Sequence, residues 1–336
     1  MYQLRKEGCS MDIELVANLS GFRLQAWKSL LHKAGLHDDF TYDRTVLVWD
    51  NGDLIAAASR QENILKGIAV DDSHRGEDLT ATLLTQLRQD AFQAGYSHLF
   101  LYTKPQNLFM FRSLFFYPVA QTQNVLLMEN KENGVSAFLD TLPAASCNGT
   151  VGAAVMNCNP FTKGHRYLIE TAAKECDRLY VFVLSEDKSE FSFRDRLEMV
   201  KRGTADLPNV TVLPTGPYLI SSATFPTYFL KDREHVQSVQ CQLDIEVFSK
   251  FYAPKFGITR RFVGTEPLSP LTNAYNEALK KYLPEKGIAL IEIPRLEEAG
   301  EPVSASRVRK LLTEHDLDTL RSLVPETTFQ YITKEA

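Results

Sequence analysis

The sequence lacks the features that mark secreted, membrane-spanning and nucleic-acid-coating chains. Its five cysteines, Cys9, Cys147, Cys158, Cys176 and Cys241, are an odd number without CxxC or CxxxC spacing, which points away from a disulfide framework and from a cysteine-rich zinc site. No stretch reaches the roughly 18 apolar residues of a membrane span. The opening MYQLRKEGCSMDIELVANLS is too polar and too often charged for a secretory signal. A basic excess is missing as well, because 37 Lys plus Arg stand against 42 Asp plus Glu, a formal net charge of −5. Without a global positive field, non-specific nucleic-acid binding is not expected, although a local anion site is permitted. The expectation is a cytoplasmic protein with neither membrane nor nucleic acid as partner.

What is present is apolar substance and length. A chain of 336 residues, 44% of them hydrophobic, exceeds one ordinary domain and should bury roughly three quarters of its extended-chain surface. Two halves differ in rhythm. In the first, RTVLVWDNGDLIAAASR reads as two strands joined at Asn51-Gly52, a dipeptide that tolerates the positive angles of a tight hairpin. A third strand spans Ile64 to Val70, LTATLLTQLRQDAFQAG forms a helix closed by Gly95, and SHLFLYT forms another strand. The dense aromatics of NLFMFRSLFFYP read as interior. Together these predict a mixed sheet with a helix packed on it, over residues 1–145.

Pro143, Asn148 and Gly149 then interrupt the pattern, and from about residue 150 to 336 strands alternate with helices: VGAAVMN, HRYLIETAAKE, RLYVFVLS, FRDRLEMVKRGTADL, VTVLPT. That alternation predicts a parallel sheet with helices on its faces and ligands at the carboxyl ends of its strands. The chain is expected to end in the helices VRKLLTEH and LDTLRSLV with a short tail.

The chemistry concentrates in NCNPFTKGH, Asn157 to His165, between the first of these strands and its helix. There Pro160 and Gly164 shape a tight loop, and the helix start offers unpaired amides to a phosphate. Its bland alternative is a capped loop with a solvent-facing histidine. Thr162, Lys163, Gly164 and His165 resemble the T/HxGH motif of the HIGH-type nucleotidyltransferase superfamily. This implies that Thr162 and His165 meet nucleotide phosphates, with Asn159, Phe161 and Gly164 completing the loop. After the next strand, Lys188, Phe191 and Arg196 resemble the Lys-x-x-Phe-x-x-x-x-Arg arrangement of pantetheine-phosphate adenylyltransferases, with Lys188 facing an anion and Arg196 either joining it or pairing with nearby acids. Downstream, PVSASRVRKLL places Ser304 and Ser306 before a helix and Arg309 in its first turn, either as a simple cap or as a counterpart of the superfamily's ISSTxxR phosphate motif.

Longer segments narrow the resemblance. YLISSATFPTYFLK, CQLDIEVFSKFYAPKFGITRRFVGTEP and LTNAYNEAL look like corresponding stretches of the citrate (pro-3S)-lyase ligase family. The resemblance implies an enzyme that uses ATP and Mg2+ to acetylate the prosthetic-group thiol of the acyl carrier (gamma) subunit of citrate lyase, through acetyl-adenylate, with release of AMP and pyrophosphate. It implies a Rossmann-like catalytic domain in which His165, Lys188, Thr162 and Arg309 serve the phosphates, with no protein carboxylate cage for the metal. Gly264, Thr265 and Glu266 either contact adenosine or merely turn the chain at a strand end. Tyr218, Ser221, Ser222, Thr224 and Phe225 are candidates to line an acetyl or prosthetic-group pocket. Thr272, Asn273, Tyr275 and Asp244 are weaker polar candidates.

The first third resembles a GNAT N-acetyltransferase domain, a family whose R/Q-x-x-G-x-G/A loop holds the pyrophosphate of acetyl-CoA with backbone amides. Here that loop reads Arg75, Gly76, Glu77, Asp78, Leu79, Thr80. Asp78 and Thr80 stand where the pattern wants glycine or alanine, and Asp78 adds negative charge where an anion should rest. Carrier or prosthetic-arm recognition, with His74 and Arg75 as contacts, is therefore expected in place of acetyl-CoA catalysis. The alternatives are a conventional adenylyltransferase acting on a phosphorylated small molecule, a GNAT acetyltransferase, and a non-catalytic carrier scaffold.

Overall fold

The structure, a computed structural model, describes residues 2–6, 9–145, 147–219, 228–230, 236–266, 270–298 and 300–334. Ser221, Ser222, Thr224 and Phe225 lie outside the described residues. The chain divides into two compact units, 1–134 with 226–239, and 135–225 with 240–336. The sequence pattern breaks at 145–150, later than this division. Phe138 accounts for the offset: its ring lies 5.9 Å from that of Tyr218 and sits where a side chain on Gly216 would have to go.

The first unit is built from β1 (Tyr2–Lys6), β2 (Cys9–Val16), α1 (Gly21–Lys33), β3 (Arg44–Asp50), β4 (Asp53–Gln61), β5 (Ile64–Val70), α2 (Leu79–Gln93), β6 (Phe100–Thr103), α3 (Leu108–Ser113), β7 (Tyr117–Gln121) and β8 (Leu126–Glu129). Its strands form one mixed sheet in the order β1-β2-β3-β4-β5-β6-β8-β7, in which only β5 and β6 run parallel. Asn51 and Gly52 take the expected positive φ, 49° and 89°. α2 closes before Gly95 at φ 90°. Leu83, Leu84 and Leu87 of α2 pack on one side of the sheet. On the other side Trp27, Leu30 and Leu31 of α1, a helix the pattern reading leaves unassigned, meet Leu47 and Ala57. The aromatic segment is interior only in part: Phe111 and Phe116 are buried, whereas Phe109 and Phe115 are 79% and 67% exposed.

The second unit follows α4 (Gly134–Asp140) with β9 (Val151–Met156), α5 (Lys163–Lys174), β10 (Arg178–Val183), α6 (Phe193–Gly203), β11 (Val210–Pro214), the part of α7 (Val236–Val247) from residue 240 onward, α8 (Ala253–Phe256), β12 (Arg260–Gly264), α9 (Pro270–Tyr282) and β13 (Ala289–Ile293). The small hairpin of β14 (Glu297–Glu298) and β15 (Glu301–Pro302) precedes α10 (Ala305–Thr313), α11 (Leu317–Leu323) and α12 (Glu326–Lys334). The five main strands are parallel in the order β11-β10-β9-β12-β13. β9 lies at the centre, and its small residues permit close packing: a side chain on Gly152 would fall 2.6 Å from the ring of Phe262. The expected tail is α12. Ile332 buries against the core and the Tyr331 hydroxyl donates to Asp195 at 2.9 Å.

Candidate functional site

The order of the strands reverses between β9 and β12, and that is where the sheet opens. These two strands pair only at Gly152 with Arg260 and Ala153 with Arg261; beyond those positions they part. A cavity of about 340 Å³ lies over the parting, lined by Val155, Met156 and Asn157 on one side and by Arg261, Val263 and Gly264 on the other. Thr162, Gly164, His165, Ser304 and Ser306 also line it, so two helix starts face one space. This is the crevice in which open parallel sheets hold ligands.

The loop from β9 to α5 is shaped by a positive φ of 53° at Cys158 and a cis bond between Asn159 and Pro160. Phe161 is fully buried in a site that only a glycine at position 203 leaves open, since a side chain there would meet its ring at 2.4 Å. Gly164 comes close to the chain before α10; a methyl group on it would stand 3.2 Å from the Val303 carbonyl oxygen. Thr162 caps α5. Its Oγ1 accepts from the His165 amide at 3.3 Å, and the His165 Nδ1 accepts from the Thr162 amide at 3.1 Å, a reciprocal box that fixes the imidazole.

That box sets the proton. A nitrogen that accepts an amide hydrogen carries none of its own, so the neutral ring is protonated at Nε2. The ring stays neutral because burial, reinforced by the nearby Arg295 guanidinium, lowers its pKa to about 4. His165 thus offers an uncharged N–H donor in a cavity that also receives the opening amides of α5. Cys158 is no nucleophile, since burial pushes its thiol well above the usual range.

The structure sorts the remaining sequence candidates. Arg196 is completely buried and donates to the carbonyls of Phe191, Asn157, Leu184 and Glu186 and to the Asn157 side chain. With its donors engaged by the protein it is a strut that ties the loop after β10 to the loop after β9, which corrects its assignment to nucleotide contact. Phe161 is likewise a packing residue behind His165, its ring 6.0 Å from the imidazole. Asn159 accepts from the Phe191 amide through its side chain and from Arg309 Nη1 through its carbonyl, at 3.1 and 2.5 Å. Lys188 is exposed on the loop before α6 and is not among the cavity-lining residues.

Ser304 caps α10, accepting from the Arg307 amide at 3.2 Å. Ser306 is already the second residue of that helix and Arg309 the fifth, so Arg309 lies beyond the first turn. There it spans Asn159, Ser306 and Glu190. Gly264, Thr265 and Glu266 line the cavity beyond β12. The Thr265 hydroxyl accepts from the Arg295 amide at 3.1 Å, and Glu266 pairs with the Arg295 guanidinium at 2.6 Å. Arg295 and Asn276 line the cavity too, and the sequence reading passed over both. Arg295 follows the carboxyl end of β13, a strand the sequence pattern left unassigned, so the strand-end rule points to it only once that strand is in place. Among the described residues no group of His, Cys, Asp or Glu side chains converges on a metal position. Among the described residues no helix is long and apolar enough to cross a membrane.

The chain is similar to known proteins over both units. The sequence profile described as citrate lyase ligase C-terminal domain matches residues 151–332, and that of the acetyltransferase (GNAT) family matches residues 15–113. Citrate (pro-3S)-lyase ligase of Escherichia coli (strain K12) is 40% identical over 309 residues, covering 90% of this chain and 88% of that protein. The Klebsiella pneumoniae protein of the same name is 43% identical over 285 residues, covering 83% of each. A shorter likeness joins 16% of this chain to 34% of phosphopantetheine adenylyltransferase of Clostridium botulinum (strain 657 / Type Ba4), at 48% identity over 56 residues.

Proposed function

The chain belongs to the citrate (pro-3S)-lyase ligase family, an ATP-dependent ligase family, and from that premise we propose that it charges the acyl carrier (gamma) subunit of citrate lyase through an acyl-adenylate. An acetate oxygen attacks the α-phosphorus of ATP, the bond from that phosphorus to the bridging oxygen breaks, and pyrophosphate leaves. The thiolate of the CoA-derived prosthetic group then attacks the acetyl carbon, and AMP leaves as the thioester forms.

The single observation that carries this reading is the reciprocal capping box that fixes the His165 imidazole at an α5 start opening into the cavity between β9 and β12, where burial keeps the ring neutral. A fixed, uncharged donor meets growing negative charge without reorganisation, which is the main way a site of this kind lowers the barrier to phosphoryl-group chemistry. Thr162 holds that donor in place, Ser304 and Ser306 present the second helix start, and Arg309 draws the two loops together. Lys188, reaching from its exposed loop, is assigned to the outer phosphates, and Gly264, Thr265 and Glu266 to the nucleoside. Mg2+ supplies charge neutralisation on the phosphates. The first unit is assigned to carrier recognition, because Asp78 stands at the N-terminal end of α2 where an acetyl-CoA pyrophosphate would otherwise rest.

The test is product identification with ATP, Mg2+, acetate and deacetylated carrier, each omitted in turn. AMP, pyrophosphate and carrier thioester, all acetate-dependent, are the expected products. A pyrophosphate-linked dinucleotide, or pyrophosphate release without acetate, would instead assign conventional adenylyl transfer, the reading that the short phosphopantetheine adenylyltransferase likeness favours.

A further inference from the structure

At the floor of the cavity stands a charge that neither the phosphates nor the nucleoside explain. Arg261 occupies the last position at which β12 still pairs with β9, so it lies where the two strands begin to part. It lines the cavity yet is only 2% exposed. Its guanidinium lies over the ring of Phe248, 4.4 Å from the ring centre. Nη2 donates to the Tyr275 hydroxyl at 3.0 Å, and that hydroxyl in turn donates to Asp244. The carboxylate of Asp244 stands 3.6 Å from Nη2, longer than a good charge-assisted hydrogen bond. Nε and Nη1 are buried and have no hydrogen-bond partner among the described residues.

A buried guanidinium with two unused nitrogens is costly, and the neighbouring acid compensates it incompletely. Burial pushes the Asp244 carboxyl above its usual range even though Arg261 and Tyr275 pull it down. The natural complement of such a group is a second, small carboxylate admitted when the cavity fills.

We propose that Arg261, held by Phe248 and Tyr275 and incompletely compensated by Asp244, is the subsite for the carboxylate of the short acid substrate. The assignment rests on the acyl-adenylate reading above and adds to it which end of the cavity receives the acid. Arg261 would draw the acid to the floor of the crevice, below the two helix starts that take the phosphates. With the apolar Val155 and Val263 beside it, the space favours an acid with a short hydrocarbon end.

The experiment is initial-rate pyrophosphate release with acetate and ATP varied separately. In the wild-type protein the release must depend on acetate; if it does not, the acyl-adenylate reading falls, independently of Arg261. Given that dependence, Arg261→Lys is expected to raise KM for acetate at least tenfold while changing KM for ATP less than twofold. Asp244→Asn, which removes the competing internal carboxylate, is expected to lower KM for acetate severalfold. That opposite pair of signs separates a substrate site from a structural ion pair. If Arg261→Lys fails to fold, as judged by its melting curve, Asp244→Asn and Tyr275→Phe decide: the proposal requires acetate KM to fall in the first and rise in the second. Unchanged acetate KM in the folded variants, or equal shifts for acetate and ATP, would overturn it.

Discussion

Two helix starts in this molecule are built on similar chain plans and differ in what they leave for an anion. In the second unit, Thr162 caps α5 with a neutral hydroxyl, Gly164 keeps the first turn slim, and His165 contributes an uncharged N–H. In the first unit, Gly76 turns the chain at φ 95°, but Asp78 occupies the cap position of α2 and forms no side-chain cap bond. Its carboxylate is left at the positive end of the helix, with Glu77 next to it. A helix N-terminus attracts anions through its open amides and dipole, so a side-chain carboxylate parked there competes with any ligand. Local charge at the cap, more than the helix itself, separates a helix start left open to an anion from one guarded against it.

The largest expected effect of breaking this arrangement is at His165. His165→Ala should lower acetate-dependent pyrophosphate release by about 10²–10³-fold, the typical loss on deleting one oriented donor, with a far-ultraviolet spectrum like that of the wild type; turnover within threefold of wild type would remove His165 from the reaction. Next is the strut beneath the loop. Arg196→Ala leaves four carbonyls, those of Phe191, Asn157, Leu184 and Glu186, without their donor and should destabilise the protein by about 3 kcal/mol, read as a lower urea midpoint at unchanged slope. A stable variant would mean that water replaces the guanidinium.

Third is an exchange of caps. Thr162→Asn keeps a good neutral cap and should hold KM for ATP within about threefold, whereas Thr162→Asp imports the first unit's acid and should raise it about tenfold or more, as one unfavourable charge contact near phosphate implies. Asp78→Thr, the reciprocal change, should give the first unit measurable affinity for inorganic phosphate by calorimetry. If Asn and Asp behave alike at position 162, charge at the cap is not what distinguishes the two helix starts.

These contrasts also explain what the sequence made legible. Thr162, Gly164 and His165 could be read because strand, turn and helix are contiguous and their roles are local. For Arg196 the sequence left two roles open, joining an anion or pairing with nearby acids, and only the folded loops around it reveal the four carbonyls that take its donors. Arg261 and Arg295 stayed hidden for another reason. The first sits in a strand and the second just beyond one, and their value comes from β9 and β12 parting above residue 261, a tertiary event between segments about 100 residues apart. α12 read as a tail because its apolar residues mean little until α6 supplies Asp195 for Tyr331. The two domain types were legible from the change in alternation, since the placement of strands and helices along the chain follows from local period.

The smallest effect sharpens the comparison through pH. His165 has a folded-state pKa lowered to about 4 from its ordinary value of 6.5, chiefly by burial and also by Arg295. Between those values the unfolded chain binds the proton and the folded chain does not, so unfolding takes up protons and stability rises with pH across this window. The contribution is complete above about 6.5 and is lost as pH falls toward about 4. One group cannot impose a slope greater than about 1.4 kcal/mol per pH unit, and the partial solvent access of His165 makes the actual slope smaller. Carboxylates titrate in the same range, so the informative quantity is a difference: the wild type should lose more stability than His165→Asn between pH 6.5 and 4.5, with parallel curves from pH 7 to 8. Parallel curves throughout would mean that the histidine is protonated as easily in the folded protein as in water. Its place in the site would then be that of a cation, and the contrast with the carboxylate-guarded start of α2 would rest on charge of opposite sign instead of on a neutral donor.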